Sequence, residues 1–147
     1  MKRLLNFFIL SLFFLSCKQK IQLEAIPNIN GYWQIEKVVF GNGNDKIYNA
    51  NSTYDYFQIN KNNIGFRKKV TPQLDGTFLV DNTYEKVSVS FKGDKTYLHY
   101  VTPYMRWTEE LVVLTAEKLV LSNSQNKTYH YKKVRITSIF ENGKKSK

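Results

Sequence analysis

Short stretches of alternating apolar and polar residues, broken by turn residues at intervals of about ten, restrict most strongly what this chain can fold into. The clearest runs from Tyr84 to Phe91, where Val87, Val89 and Phe91 fall on one side and Lys86, Ser88 and Ser90 on the other. A period of two buries one face of a strand and wets the other. Gly93-Asp94 then turns the chain into a strand over Lys95–Thr102. The same reading places strands at Gly31–Phe40, Thr53–Ile59, Ile64–Val70, Thr77–Val80, Met105–Leu114, Lys118–Ser122 and Thr128–Ile139. Turns fall at Asn60-Lys61-Asn62-Asn63, at Asp75-Gly76 and over Asn123–Asn126. No long stretch carries apolar residues at helical spacing, and Leu114–Leu119 allows one helical turn.

Eight or nine short antiparallel strands leave two unpaired edges unless the sheet closes on itself. The expected fold is therefore all-β, an antiparallel up-and-down barrel of eight to nine strands, with an open β-sandwich as the alternative. The composition agrees: aromatics make up 15% of the 147 residues, Tyr and Phe foremost, which suits a half-buried pleated surface. A single cysteine rules out an intramolecular disulfide, so the core and the sheet must carry stability.

The front of the chain has a different grammar. Lys2 and Arg3 precede the apolar run Leu4–Leu15, which is too short to span a bilayer and suits the hydrophobic segment of a secretory signal. Phe14-Leu15-Ser16-Cys17 follows. A small residue and then Cys at that point resembles the lipobox of bacterial lipoproteins, with Phe14 standing where Leu is usual. That resemblance implies cleavage before Cys17, diacylglycerol on its thiol and an acylated amine. The membrane is then a partner through the lipid, since two acyl chains hold a protein firmly. The expected organisation is a signal peptide over 1–16, a lipidated tether over 17–29, a barrel domain over 30–140 and a disordered basic tail over 141–147. Lys18-Gln19-Lys20 matches neither an acidic surface-export signal nor an Asp retention signal. By resemblance this favours the periplasmic face of the outer membrane.

The formal charge is +10, and loss of a segment holding Lys2 and Arg3 leaves 20 basic against 12 acidic residues, a net +8. In an exported protein such a charge points to an anionic surface or polymer rather than to nucleic acid, or simply to a well-solvated exterior.

Gly31-Tyr32-Trp33 opens the first strand and resembles the Gly-x-Trp signature of lipocalins. Gly65–Val70 and Trp107–Leu111 extend the likeness to lipocalin-like lipoproteins of Gram-negative bacteria. The resemblance implies an eight-stranded barrel with Trp33 across its closed end, under an Arg from near the last strand. Arg135 is placed for that role, with Arg106 and Arg67 as alternatives. It also implies a binding module for a small hydrophobic molecule. Wall candidates, taken from the inferred inner faces, are Trp33, Phe57, Phe66, Phe78, Val89, Phe91, Trp107 and Glu109. Large side chains there could equally fill the lumen. Glu109 shares the parity of Trp107 and needs a partner if buried, so it either orients a ligand or closes an internal salt bridge. Arg67-Lys68-Lys69 reads as a basic strand edge that deters edge pairing, or as a phosphate-binding patch. The competing function is an envelope interaction module, with Tyr54, Tyr56, Tyr129 and Tyr131 as a contact patch for a protein partner.

No catalytic or metal-binding set emerges. The chain lacks a phosphate-cradling Gly loop, a His-Glu-x-x-His segment and a cysteine pair. His99 and His130 sit mid-strand among tyrosines as ordinary sheet residues, and no cofactor is expected.

Overall fold

The structure, a computed structural model, describes residues 20–135. The signal segment, Cys17, the last residues of the final predicted strand and the basic tail lie outside the described residues.

A 3-10 helix (Leu23–Ile29) leads into ten antiparallel strands. They are β1 (Gly31–Phe40), β2 (Lys46–Ile47), β3 (Tyr54–Ile59), β4 (Ile64–Pro72), β5 (Phe78–Val80), β6 (Glu85–Lys92), β7 (Lys95–Val101), β8 (Arg106–Leu114), β9 (Lys118–Asn123) and β10 (Lys127–Val134). Eight of them form a meander in the order β1-β3-β4-β6-β7-β8-β9-β10, and β10 pairs back onto β1 to close the ring. β2 and β5 are short additions to β1 and β4. The closed barrel, not the sandwich, is the architecture. β1 is held along most of its length by β10, from Tyr32↔Val134 to Phe40↔Lys127. Closure leaves the ring without a free edge strand; only the stretch where β4 parts from β6 is unpaired on one side.

Closure forces every second residue inward. Trp33, Phe57, Leu98, Tyr100, Leu119 and Leu121 are fully buried and fill much of the lumen. Burying each aliphatic or aromatic side chain contributes on the order of 2 kcal/mol. Two register slips adjust the alternation, one in β1 between Ile35 and Lys37 and one in β8 between Leu111 and Val113. The first lets both Trp33 and Val38 face in, while Glu36 and Lys37 reach Lys132 and Asp45 outside.

One end of the barrel is plugged. The segment 17–29 was expected to be a tether, yet Ile21, Ile26 and Ile29 are buried in the core against β3 and β8. A free tether would leave three large apolar side chains in water, so the chain folds over the barrel end instead. Three polar side chains lock the plug. Asn30 acts as a strand partner for Ile59, donating from Nδ2 to its carbonyl (3.0 Å) and accepting from its amide (2.6 Å). The Trp33 indole N–H donates to the Ile29 carbonyl at 2.7 Å. Lys133 donates to the carbonyls of Asn28 and Asn30 and holds its ammonium 4.3 Å from the Trp33 ring centroid. The cation over Trp33 is thus Lys133. Arg135 binds Glu117 (2.7 Å), Arg106 is exposed and Arg67 lies elsewhere in the lumen. Register decides this, because Lys133 sits directly opposite Trp33 in the β1–β10 pair.

Turns 60–63, 93–94 and 115–117 share the plugged end, and 41–53, 73–77, 102–105 and 124–126 share the open end. Gly65 is required where β4 leaves the first of these turns. A Cβ there would lie 1.8 Å from the Gln58 carbonyl oxygen, which is backbone and cannot yield. Gly65→Ala should lower stability by about 2 kcal/mol, as overpacking does. Urea unfolding followed by tryptophan fluorescence would show it, and an unchanged midpoint would contradict this account.

Candidate open-end binding cleft

β4 and β6 pair from Ile64↔Ser88 to Arg67↔Glu85 and then diverge. β4 takes up β5 only at Val70, so the edge at Lys68–Lys69 has no strand partner on that side. The gap opens into a cleft of about 670 Å³ at the open end. One wall carries Arg67, Lys68 and Lys69, a second Asn82–Lys86, and a third Val101–Tyr104 from the β7–β8 turn.

Arg67 forms the floor. It is nearly buried, its Nε donates to Glu85 Oε2 at 2.8 Å, and Asp55 Oδ1 lies 3.9 Å away. Its guanidinium sits over Tyr100, 4.6 Å from the ring centroid, with Phe57 and Trp107 each at 5.8 Å. Burial works against its charge, but Tyr100, the Glu85 hydrogen bond and Asp55 outweigh it and hold the guanidinium protonated. Lys69 reaches back to Asp55 Oδ1 at 2.6 Å, an ionic contact rather than an aligned hydrogen bond. Behind Arg67, Glu109 and Tyr100 are close enough to perturb each other, yet Glu109 Oε2 and the Tyr100 hydroxyl lack a well-formed hydrogen bond. Burial raises the pKa of Glu109 and, far more, that of Tyr100.

A family model described as a lipocalin-like domain matches residues 29–121, from the end of the plug through most of β9. The chain belongs to the lipocalin-like domain family. Two solved structures are similar to it. One, a lipocalin-like protein from Bacteroides uniformis, is 16% identical, covering 73% of this chain and 99% of its own, with a TM-score of 0.48. The other, an uncharacterized protein from Bacteroides eggerthii, is 14% identical over 71% and 98% of the two chains, with a TM-score of 0.46. No curated protein matches the chain.

In this lipocalin-like barrel the wall candidates scatter. Trp33 and Phe57 are buried in the core near the plugged end, and Val89 packs beside them. Trp107 points inward and stacks on Tyr100 at 4.9 Å and 8°. Glu109 is buried, while its neighbour Glu110 pairs outside with Lys95. Phe91 has inward parity but lies at the plugged rim and is 41% exposed. Phe66 and Phe78 do not line the lumen. The Gly65↔Ile59 and Arg67↔Phe57 pairs show that the residues flanking Phe66 face in, so Phe66 faces out. Phe78 lies on β5, outside the ring, with its ring stacked on Tyr32 at 4.7 Å and 10°. Tyr32, Tyr56, Phe66, Phe78 and Tyr84 form one aromatic cluster on the outer wall.

Arg67 is the residue that sequence reasoning misplaced, since a basic triplet on a strand reads as a solvated edge. The signal that could have found it was the strict alternation from Phe57 through the Asn60–Asn63 turn, which assigns Arg67 to Phe57's face. Tyr131 is buried and Tyr129 packs against the core, so neither joins Tyr54 and Tyr56 in an exposed patch. On the outer wall, His99 bridges Ser90 Oγ (2.7 Å) and Thr108 Oγ1 (2.9 Å). Strand β7, which carries His99, is paired on both sides by β6 and β8, so these groups form a cross-strand ladder. None of them lines the cleft. Among the described residues no three His, Cys, Asp or Glu groups gather closely enough to hold a metal ion.

The raised pKa of Glu109 fixes the sign of a pH effect. The folded state prefers the protonated acid, so its contribution is present at low pH and lost as pH rises through the folded value. Glu109→Gln should therefore gain stability relative to the parent as pH is raised from about 5 to about 8. Thermal unfolding at both pH values would test this, and a gain on acidification would contradict it.

Proposed function

We propose that the chain is an envelope lipoprotein whose barrel binds a small molecule at its open end. The observation that carries this reading is the cleft of about 670 Å³, a volume suited to one small ligand, floored by a buried arginine. The hydrophobic-ligand reading shifts with it from the middle of the lumen to the mouth, because Trp33, Phe57, Leu98, Tyr100, Leu119 and Leu121 occupy the interior. Incubation of the purified protein with an envelope lipid and metabolite extract, followed by native mass spectrometry, should return a one-to-one adduct. An absence of adduct under every condition would favour the competing role, a protein-interaction module. The outer aromatic cluster around Phe66 supports that alternative.

Anchoring rests on the sequence around Cys17. Lys20 is 3.4 Å from Asp94 at the plugged end, so the chain leads toward Cys17 from the end opposite the cleft. Three residues span at most about 10 Å. A lipid on Cys17 would hold the plugged end near the bilayer and turn the mouth away from it, leaving the cleft free to take up a solute. The periplasmic face of the outer membrane is the proposed site. Cys17→Ala should abolish radiolabelled fatty-acid incorporation and release the protein from the membrane fraction. Equal membrane retention of the variant after signal removal would overturn the anchor.

A further inference from the structure

Resting on the reading of the open-end cleft as the binding site, we propose that its ligand is a small organic anion: a ring-bearing apolar body with one acidic group. The cleft gathers Arg67, Lys68, Lys69 and Lys86 against a single carboxylate, Glu85. Glu85 is already engaged by Arg67 at 2.8 Å, and Asp55 answers Lys69 at 2.6 Å from behind the cleft. Among the described residues, Lys68 and Lys86 have no carboxylate within 4 Å; Asp81, beside the cleft, is near enough to feel the Lys68 charge, but its Oδ1 is taken by the Thr83 amide and hydroxyl. Lys68 instead lies over the rings of Phe66 and Tyr84, at 5.7 and 5.8 Å.

This gathering is a product of the break in the wall. Along an intact strand, consecutive residues go to opposite sides, so Arg67 and Lys69 would belong to the lumen and Lys68 to the exterior. Only where β4 parts from β6 do all three border one cavity, joined by Lys86 from the other strand. Like charges brought together across a cleft with low-dielectric walls focus a positive potential and repel one another, and a bound anion relieves both effects. The remaining walls suit a ring. Tyr84, Val101, Pro103 and Tyr104 supply flat or apolar surface. Tyr104 is 95% exposed, so its ring is spent on no internal packing. The cleft's volume of about 670 Å³ suits a single small molecule.

The test uses naphthalene-2-sulfonate and its uncharged sulfonamide, which share one aromatic body. Each is titrated into the purified, isotopically labelled protein while amide shifts of residues 82–86 and 101–104 are followed. The sulfonate should bind at least tenfold more tightly than the sulfonamide, more weakly as salt is raised. The preference should fall to near parity in a Lys68→Gln/Lys86→Gln variant whose remaining spectrum is unchanged. Equal affinity of the two probes would overturn the anion assignment while leaving the cleft as a binding site, and a preference that survives in the variant would overturn the part given to Lys68 and Lys86. No shift at these residues with either probe would overturn both.

Discussion

Ring closure between β1 and β10 imposes the condition that the rest of the molecule has to meet. Once the sheet has an inside, every second residue of eight strands is committed to it, and any polar group among them must find a partner there. Trp33, Phe57 and the leucines of β7 and β9 meet that condition by packing. Arg67 and Asp55 meet it by gathering with Glu85 and Lys69, and Glu109 by favouring its protonated form. Removing one partner from such a set leaves a buried charge uncompensated, which is far costlier than losing a surface pair. The network around Arg67 therefore behaves as one unit with the aromatic rings that shield it.

The two ends of the barrel have divided the work. At the plugged end, Ile26 and Ile29 exclude water, Trp33 and Lys133 satisfy carbonyls that the 3-10 turn leaves open, and the Asn30 side chain ties the turn to Ile59. At the other end the wall parts between β4 and β6, and unpaired edge, charge and exposed aromatic surface collect in the same place. On the proposed reading of the cleft, stability and recognition are separated along the barrel axis. Trp33, Phe57, Leu98, Tyr100, Leu119 and Leu121 occupy the lumen between them, so the mouth is the surface where chemistry can vary without disturbing the core.

Most of the strand pattern was legible in the chain. Val87 and Val89 announce their face by alternation, Gly93-Asp94 announces its turn, and Gly31–Phe40 appears with the limits the structure shows. Local rules suffice there because period and turn chemistry are local properties. β2 was missed, since a two-residue strand has no period of its own. The plug was missed because Ile21, Ile26 and Ile29 show no spacing that distinguishes a packed cap from a tether.

What the sequence determined by itself was the class of fold, the positions of its turns and the distinct character of its first seventeen residues. The tertiary structure alone decided which cation covers Trp33, and that Arg67, Lys68, Lys69 and Lys86 meet in one cleft. The reason is physical. Which residues meet across neighbouring strands follows from register, and register is settled by the best closure of the whole ring, with its bulges and the parting of β4 from β6. No short stretch of sequence carries that information.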